Sequence, residues 1–338
     1  MNLRLRLCVI LFLACVSLAS ASEYRVVHTY KLGGPGGWDY LTFDAVKDRL
    51  FISRGTHVMV VGSGGTVQGD IPNTPGVHGI ALVQDLGRAF ISNGRENTVS
   101  VVDLDTLKLV KKIDITGQNP DAILYDPASQ RVFTFNGRSQ DATAIDAVKM
   151  TVVGSIKLDG KPEFAVSDEK GHAYVNIEDK NEVTMFDTQK LTVDKTWPLK
   201  GCEAPSGLSI DRQHHRLFSG CSDSKTMAIS DYQAGSMVAS TPICDGTDGT
   251  AYDDSADVAF ASCHDGHLSV VRGSGTQYQL AETVDTQMGA RTLTVDPKSH
   301  RVFTVSAKFG VPPSPTASDP HPRPAVDPDS FVLIVVGK

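Results

Sequence analysis

Hydrophobic positions along the chain fall in short runs divided by polar turns, and the runs recur. LTFDAVKDRLFIS from Leu41, ALVQDLGRAFIS from Ala81, ILYDPASQRVFTF from Ile123 and AVSDEKGHAYVN from Ala165 are versions of one unit. LSIDRQHHRLFSG from Leu208, TAYDDSADVAFAS from Thr250 and LTVDPKSHRVFTV from Leu293 continue the series. Each copy pairs two β-rich runs across a turn such as Asp126-Pro127-Ala128-Ser129-Gln130, which is the signature of a hairpin. A third run (Val99–Asp103 in the second copy) and a fourth (Leu109–Ile115) follow. The leading aromatics, Phe51, Phe90, Phe133, Tyr174, Phe218, Phe260 and Phe303, lie 39 to 44 residues apart. Four strands at that period predict a propeller blade, and no stretch sustains helical periodicity with caps.

Seven copies predict an all-β, seven-bladed propeller. The last copy ends at Phe331–Val336 without a fourth strand, while Val26–Leu32 resembles the fourth strand of the third copy, Val152–Leu158. The N-terminal strand is therefore expected to complete the last blade and cover an exposed sheet edge.

Residues 1–21 read as an address. Arg4 and Arg6 precede an apolar run, Leu7–Leu18, and Ala19-Ser20-Ala21 supplies a signal-peptidase pattern. The run is short for a membrane anchor, no stop-transfer charges follow, and Phe331–Val336 is too short to span a bilayer, so no stable membrane span is expected. Residues 22–338 are expected to form one domain, exported to the periplasm or the cell exterior.

The units resemble the YVTN-repeat, or YncE-like, propellers. Phe90-Ile91-Ser92-Asn93, Phe133-Thr134-Phe135-Asn136 and Tyr174-Val175-Asn176 stand where that family has its signature tetrapeptide. The resemblance implies an exported propeller. DNA binding is reported for some relatives, and more distant propellers carry redox cofactors or act as metal-dependent lactonases.

Composition narrows these classes. The formal charge is −7, and loss of Arg4 and Arg6 with the leader takes it to −9, the wrong sign for a phosphate-backbone binder. Aromatic residues are 7% of the chain, with Trp38 and Trp197 the only tryptophans, which argues against a platform for single-stranded nucleic acid. Absence of C-x-x-C-H excludes covalent haem, and no G-x-S-x-G, Walker A or H-E-x-x-H motif is present.

Cys202, Cys221, Cys244 and Cys263 remain after the leader, an even number that suits an oxidising compartment. Identical spacing within consecutive copies favours Cys202–Cys221 and Cys244–Cys263, with Cys221–Cys244 across the blade boundary as the competitor.

Candidate chemistry sits at one channel mouth. The position just before each innermost strand, twelve residues ahead of each leading aromatic and eleven ahead of Tyr174, gives Asp39, His78, Asp121, Glu163, Ser206, Asp248 and Arg291, one per blade. The seven are candidate ligand-binding residues, and Trp38 is expected either to wall the site or to pack within its blade. Asp39, Asp121, Glu163 and Asp248 suit a divalent cation such as Ca²⁺, Mn²⁺ or Zn²⁺. In a metal-dependent hydrolase or lactonase, His78 would serve as base and Arg291 as anion clamp. Otherwise the ring would take a small ligand, or the molecule would act as a scaffold for an exported partner. Arg54, Asn93, Asn136, Asn176 and Glu178, at second-strand ends, are expected to face the same mouth. The Pro-rich loop Lys308–Ser330, carrying His321 and Arg323, is expected to emerge there either as a lid or as a disordered insertion. His57, His264 and His267 read as surface histidines.

Overall fold

The structure, a computed structural model, describes residues 23–314, 316 and 324–338. The leader, His321 and Arg323 lie outside these residues. Seven four-stranded antiparallel sheets are arranged in a ring. Blade 1 is built from Leu41–Asp44, Arg49–Ser53, Val58–Gly62 and Val67–Ile71, innermost to outermost. Blades 2 to 6 repeat that order. Blade 7 takes Leu293–Asp296, Arg301–Ser306 and Val332–Gly337 from the end of the chain and Arg25–Lys31 from its start. The register runs from Arg25 opposite Gly337 to Lys31 opposite Val332, so the expected closure is present.

The repeat is explained by what lies between blades. Seven hydrophobic clusters form, one at each junction. Leu50 and Ile52 of blade 1 pack against Phe303 and Leu333 of blade 7, while Phe51 between them packs against Ile80 and Ile91 of blade 2. Alternate residues of the second strand thus serve opposite neighbours, so the strand is buried on both faces and reads as a continuous apolar run. Phe51, Phe90, Phe133, Tyr174, Phe218, Phe260 and Phe303 each belong to the cluster shared with the following blade. An aromatic at this position fills each wedge-shaped junction, and that requirement recurs once per blade.

Cys202–Cys221 and Cys244–Cys263 are disulfides with Cα–Cα separations of 5.2 and 5.8 Å. Each ties the approach to an innermost strand to the end of the second strand of the same blade. Two disulfides fit an exported protein. Replacing Cys202 and Cys221 together by serine is expected to lower unfolding free energy by about 2–3 kcal/mol, read by denaturant titration, because the short closed loop no longer restricts the unfolded chain. An unchanged midpoint would show that the bridge does not stabilise the fold. No helix among the described residues is long and apolar enough to cross a membrane.

Candidate functional site

In blades 2 to 6 the candidate ring residue falls where the innermost strand slips register. The breaks lie between Val77 and Ile80, Pro120 and Ile123, Pro162 and Ala165, Pro205 and Leu208, and Thr247 and Gly249. An extra residue in one strand leaves the ladder and re-aims its side chain. Asp39 and Arg291 occupy the matching positions just ahead of Leu41 and Leu293.

These side chains meet. Ser206 Oγ donates to Asp248 Oδ1 at 2.9 Å, and Asp248 accepts a hydrogen bond from Arg291. Arg291 Nη2 donates to the Trp38 carbonyl at 3.0 Å and lies 3.5 Å from Asp39 Oδ1. His78 Nδ1 is 2.6 Å from Asp39 Oδ2 and 3.6 Å from Asp121 Oδ1. Six of the seven positions thus form one connected arc. Glu163, the seventh, pairs with Lys161 Nζ at 2.7 Å, and Lys161 also bonds Glu178.

Burial and crowding shift the titrations of these groups. Burial pushes Glu163 up to about 8, aided by the Asp121 charge and opposed by Lys161. Burial raises Asp121 to about 6, His78 opposing and Asp39 assisting. Asp248 is raised by burial against the pull of Arg291. Burial works to lower His78, but the Asp39 hydrogen bond and the charges of Asp121, Asp39 and Glu163 outweigh it and bring His78 to about 9. The mouth therefore holds a protonated imidazole beside carboxyl groups that retain protons unusually far up the pH scale.

The four carboxylates proposed as metal ligands are divided among different partners. Asp39 and Asp121 share His78, and ligand atoms of these three lie within 4.8 Å of one another. Glu163 is held by Lys161, and Asp248 by Arg291 and Ser206.

The second-strand ends do not line the mouth as expected. Arg54 is fully buried and donates to the carbonyls of Gly33, Gly34, Pro35 and Gly36. Asn93 ties its own blade through Thr98 and Ser100, and Asn136 does so through Asp141 and Thr143. Asn176 reaches the next blade, donating to the Ser206 and Gly207 carbonyls. Buried amides at the end of an interior strand are used to satisfy backbone and neighbouring side chains. Glu178 alone joins the ring, through Lys161.

Two residues absent from the sequence reading matter. Lys161 supplies the third cation of the site. Tyr40 of blade 1 stacks on Phe164 of blade 4, centroids 4.4 Å apart, filling the channel beside the ring. The Tyr40 hydroxyl is buried with no hydrogen-bond partner among the described residues. Burial raises its pKa well above the usual phenol value, and the Asp121, Glu163, Asp39 and Asp248 charges add to the shift. A signal existed: the residues following the ring positions are Tyr40, Gly79, Ala122, Phe164, Gly207, Gly249 and Thr292. Five small residues and two aromatics predict rings that need the room the others leave.

Trp38 is buried, with its indole N–H on the Gly289 carbonyl at 3.2 Å and its rings against Phe309 and Phe331. The stems of the Pro-rich loop fold back on each other: Phe309 bridges Val326, and Gly310 N–H donates to the Ala325 carbonyl at 2.7 Å. Between these stems and the ring lies a cleft of about 670 Å³ lined by Trp38, Arg291, Phe309 and Val326, among others. His264 is exposed and stacks on Phe309, while His57 and His267 pair with Asp70 and Asp265.

The architecture defines a seven-bladed β-propeller with a charged ring at one channel mouth. No protein-family profile matches the chain. YncE of Salmonella typhi and YncE of Salmonella typhimurium, both described as uncharacterized, are each 30% identical to it over 123 residues. The matched stretch is 35% of this chain and 33% of each relative, so about a third of their length is spanned. A chain of Kuenenia stuttgartiensis hydrazine synthase superposes with a TM-score of 0.70 at 16% identity, covering 81% of this chain and 93% of that one. At that identity the likeness shows the fold alone. The fold is that of a seven-bladed propeller, and over the matched stretch the sequence is similar to YncE.

Proposed function

We propose that the chain is an exported binding propeller whose channel mouth takes a small ligand carrying positive charge. The observation that supports this most directly is the convergence of Asp39, Asp121, Glu163 and Asp248, from four blades, on one opening, above a buried Tyr40 hydroxyl that has no partner among the described residues. The cations present, His78, Arg291 and Lys161, are each already matched by carboxylates. A bound cation would find carboxyl oxygens on several sides and would take the place of the proton that Glu163 keeps up to about pH 8. The leader-like segment and the two disulfides support export.

A second reading rests on Asp39, His78 and Asp121, whose spacing suits a divalent cation and, with it, metal-assisted hydrolysis. For that reading His78 must give up its proton and its hydrogen bond to Asp39. Calorimetric titration with methylammonium, calcium, manganese and zinc tests both. Binding of methylammonium or a metal, weakened about tenfold or more by Asp121→Asn, is the expected result. Binding of acetate or phosphate but of none of these cations would overturn the proposal.

A further inference from the structure

We infer that the cleft beside the ring seats the apolar or aromatic body of an amine whose ammonium group lies among the ring carboxylates. This inference rests on the proposed cation site and adds the ligand's chemical class.

The cleft and the ring meet at Arg291. Arg291 lines the cleft and, through its hydrogen bonds to Asp248 and the Trp38 carbonyl, belongs to the ring arc. Trp38 lines the cleft and is the chain neighbour of Asp39. Arg291 also touches Asp248 and lies 3.5 Å from Asp39, so a molecule in the cleft that reaches Arg291 ends its apolar part within a few ångströms of these two carboxylates.

The cleft walls are built to stay in place. The Trp38 indole is tethered to the Gly289 carbonyl, and Phe309 lies close against Gly289. A Cβ at Gly289 would come within 2.6 Å of the Phe309 ring, and this residue has φ +85°, so glycine is required by both space and backbone. The paired stems at Phe309 and Val326 hold the opposite wall. Met288 stands 62% exposed on the rim, an apolar side chain left in water beside an apolar cleft. A mainly apolar concavity with few polar groups at one end is the usual form of a small-molecule site.

Charge selects the head group. Arg291 is the cation at the cleft floor, but Asp248 bonds it and Asp39 stands 3.5 Å away. A carboxylate or phosphate reaching Arg291 would have to displace Asp248 and remain close to Asp39. An ammonium beyond Arg291 meets carboxylates instead. The body occupies the cleft and the amine occupies the mouth.

Phenethylamine is a suitable probe, with methylammonium as its head alone and phenylacetate as the same body with opposite charge. Affinities are measured by calorimetry on the full chain, with tryptophan fluorescence as a second readout, in the wild type, Phe309→Ala and Met288→Ala. Burying a phenyl group predicts phenethylamine about tenfold or more tighter than methylammonium. Phe309→Ala is expected to remove most of that advantage and to leave methylammonium unchanged, and Met288→Ala to reduce the advantage severalfold even if Phe309→Ala fails to fold. Phenethylamine binding no tighter than methylammonium in the wild type would overturn the cleft assignment while leaving the cation site standing. Phenylacetate binding tighter than phenethylamine would overturn the charge assignment, and binding by neither amine would remove both.

Discussion

Arg54→Ala is expected to lower the unfolding free energy by about 3–5 kcal/mol at neutral pH, the scale of losing several hydrogen bonds from a charged group and opening a cavity beneath a buried ring. Arg54 has no exposed surface. Its Nη atoms donate to the carbonyls of Gly34, Pro35 and Gly36 at 2.9 to 3.0 Å, with Gly33 at 3.4 Å, and its guanidinium lies 3.4 Å from the centroid of Phe331. Burial lowers its pKa to about 10, still charged at neutral pH. The carbonyls belong to the Gly-rich bend that follows the closing strand, and the N–H groups of Leu32 and Gly33 donate to the Phe331 carbonyl. One side chain from blade 1 therefore fixes the place where the two ends of the chain meet. The bend depends on glycine: a Cβ on Gly36, with φ +99°, would come within 2.6 Å of the Arg54 carbonyl oxygen. Alanine at position 54 leaves carbonyls without donors and a void under Phe331. Lysine restores charge but lacks the planar fork, and is expected to recover less than half of the loss. Chemical denaturation reads both variants. A loss for Arg54→Ala below about 1 kcal/mol would mean that water replaces the guanidinium and that closure does not depend on it.

The contrast between Arg54 and the ring shows what could be read beforehand. Blade number, strand order and closure were legible because each junction demands the same buried aromatic, so the requirement repeats in the text of the chain. The ring positions could be listed for a related reason, since an offset of twelve residues from that aromatic (eleven from Tyr174) lands at or just ahead of the start of an innermost strand. At the second-strand ends the same logic failed. Arg54, Asn93, Asn136 and Asn176 are polar residues near a mouth, but their positions are interior: backbone carbonyls claim Arg54 and Asn176, and side chains of the adjacent strand claim Asn93 and Asn136. Pairing within the ring was also illegible. Which acid takes His78, which takes Arg291 and which is left to Lys161 depends on side chains crossing from blade to blade. The cleft joins Trp38 to Phe309 and Val326, nearly the whole chain apart, and no local pattern announces such a contact. The disulfides were recoverable because equal spacing in adjacent blades placed each pair across one hairpin end.

Stability is expected to fall as pH rises from about 5 to 9, and Glu163→Gln to flatten the fall. His78 moves from 6.5 to about 9 on folding, and Glu163 from 4.5 to about 8. Both folded values lie above the unfolded ones, so the native state binds protons that the unfolded chain has released. The stabilisation from each is complete below its unfolded value and is lost as pH rises through its folded value. One pK unit corresponds to about 1.4 kcal/mol, so His78 alone accounts for roughly 3 kcal/mol between pH 6.5 and 9. Glu163 adds to the loss over a range that begins lower. The ordinary salt bridges of the outer surface do not oppose this, since exposed pairs are worth little. Glutamine at 163 keeps the shape and an acceptor for Lys161 while removing the titration. The variant is therefore expected to be less affected by alkali than the wild type, with a higher melting temperature above pH 8 and a similar one near pH 5. A bound cation would produce the same flattening in the wild type by replacing the proton, which links the stability curve to the ligand reading. Melting curves across this pH range decide the matter. A wild-type curve that is flat or rises from neutral to alkaline pH, or a Glu163→Gln curve parallel to it, would show that the mouth is open to water and that its acids titrate as surface groups.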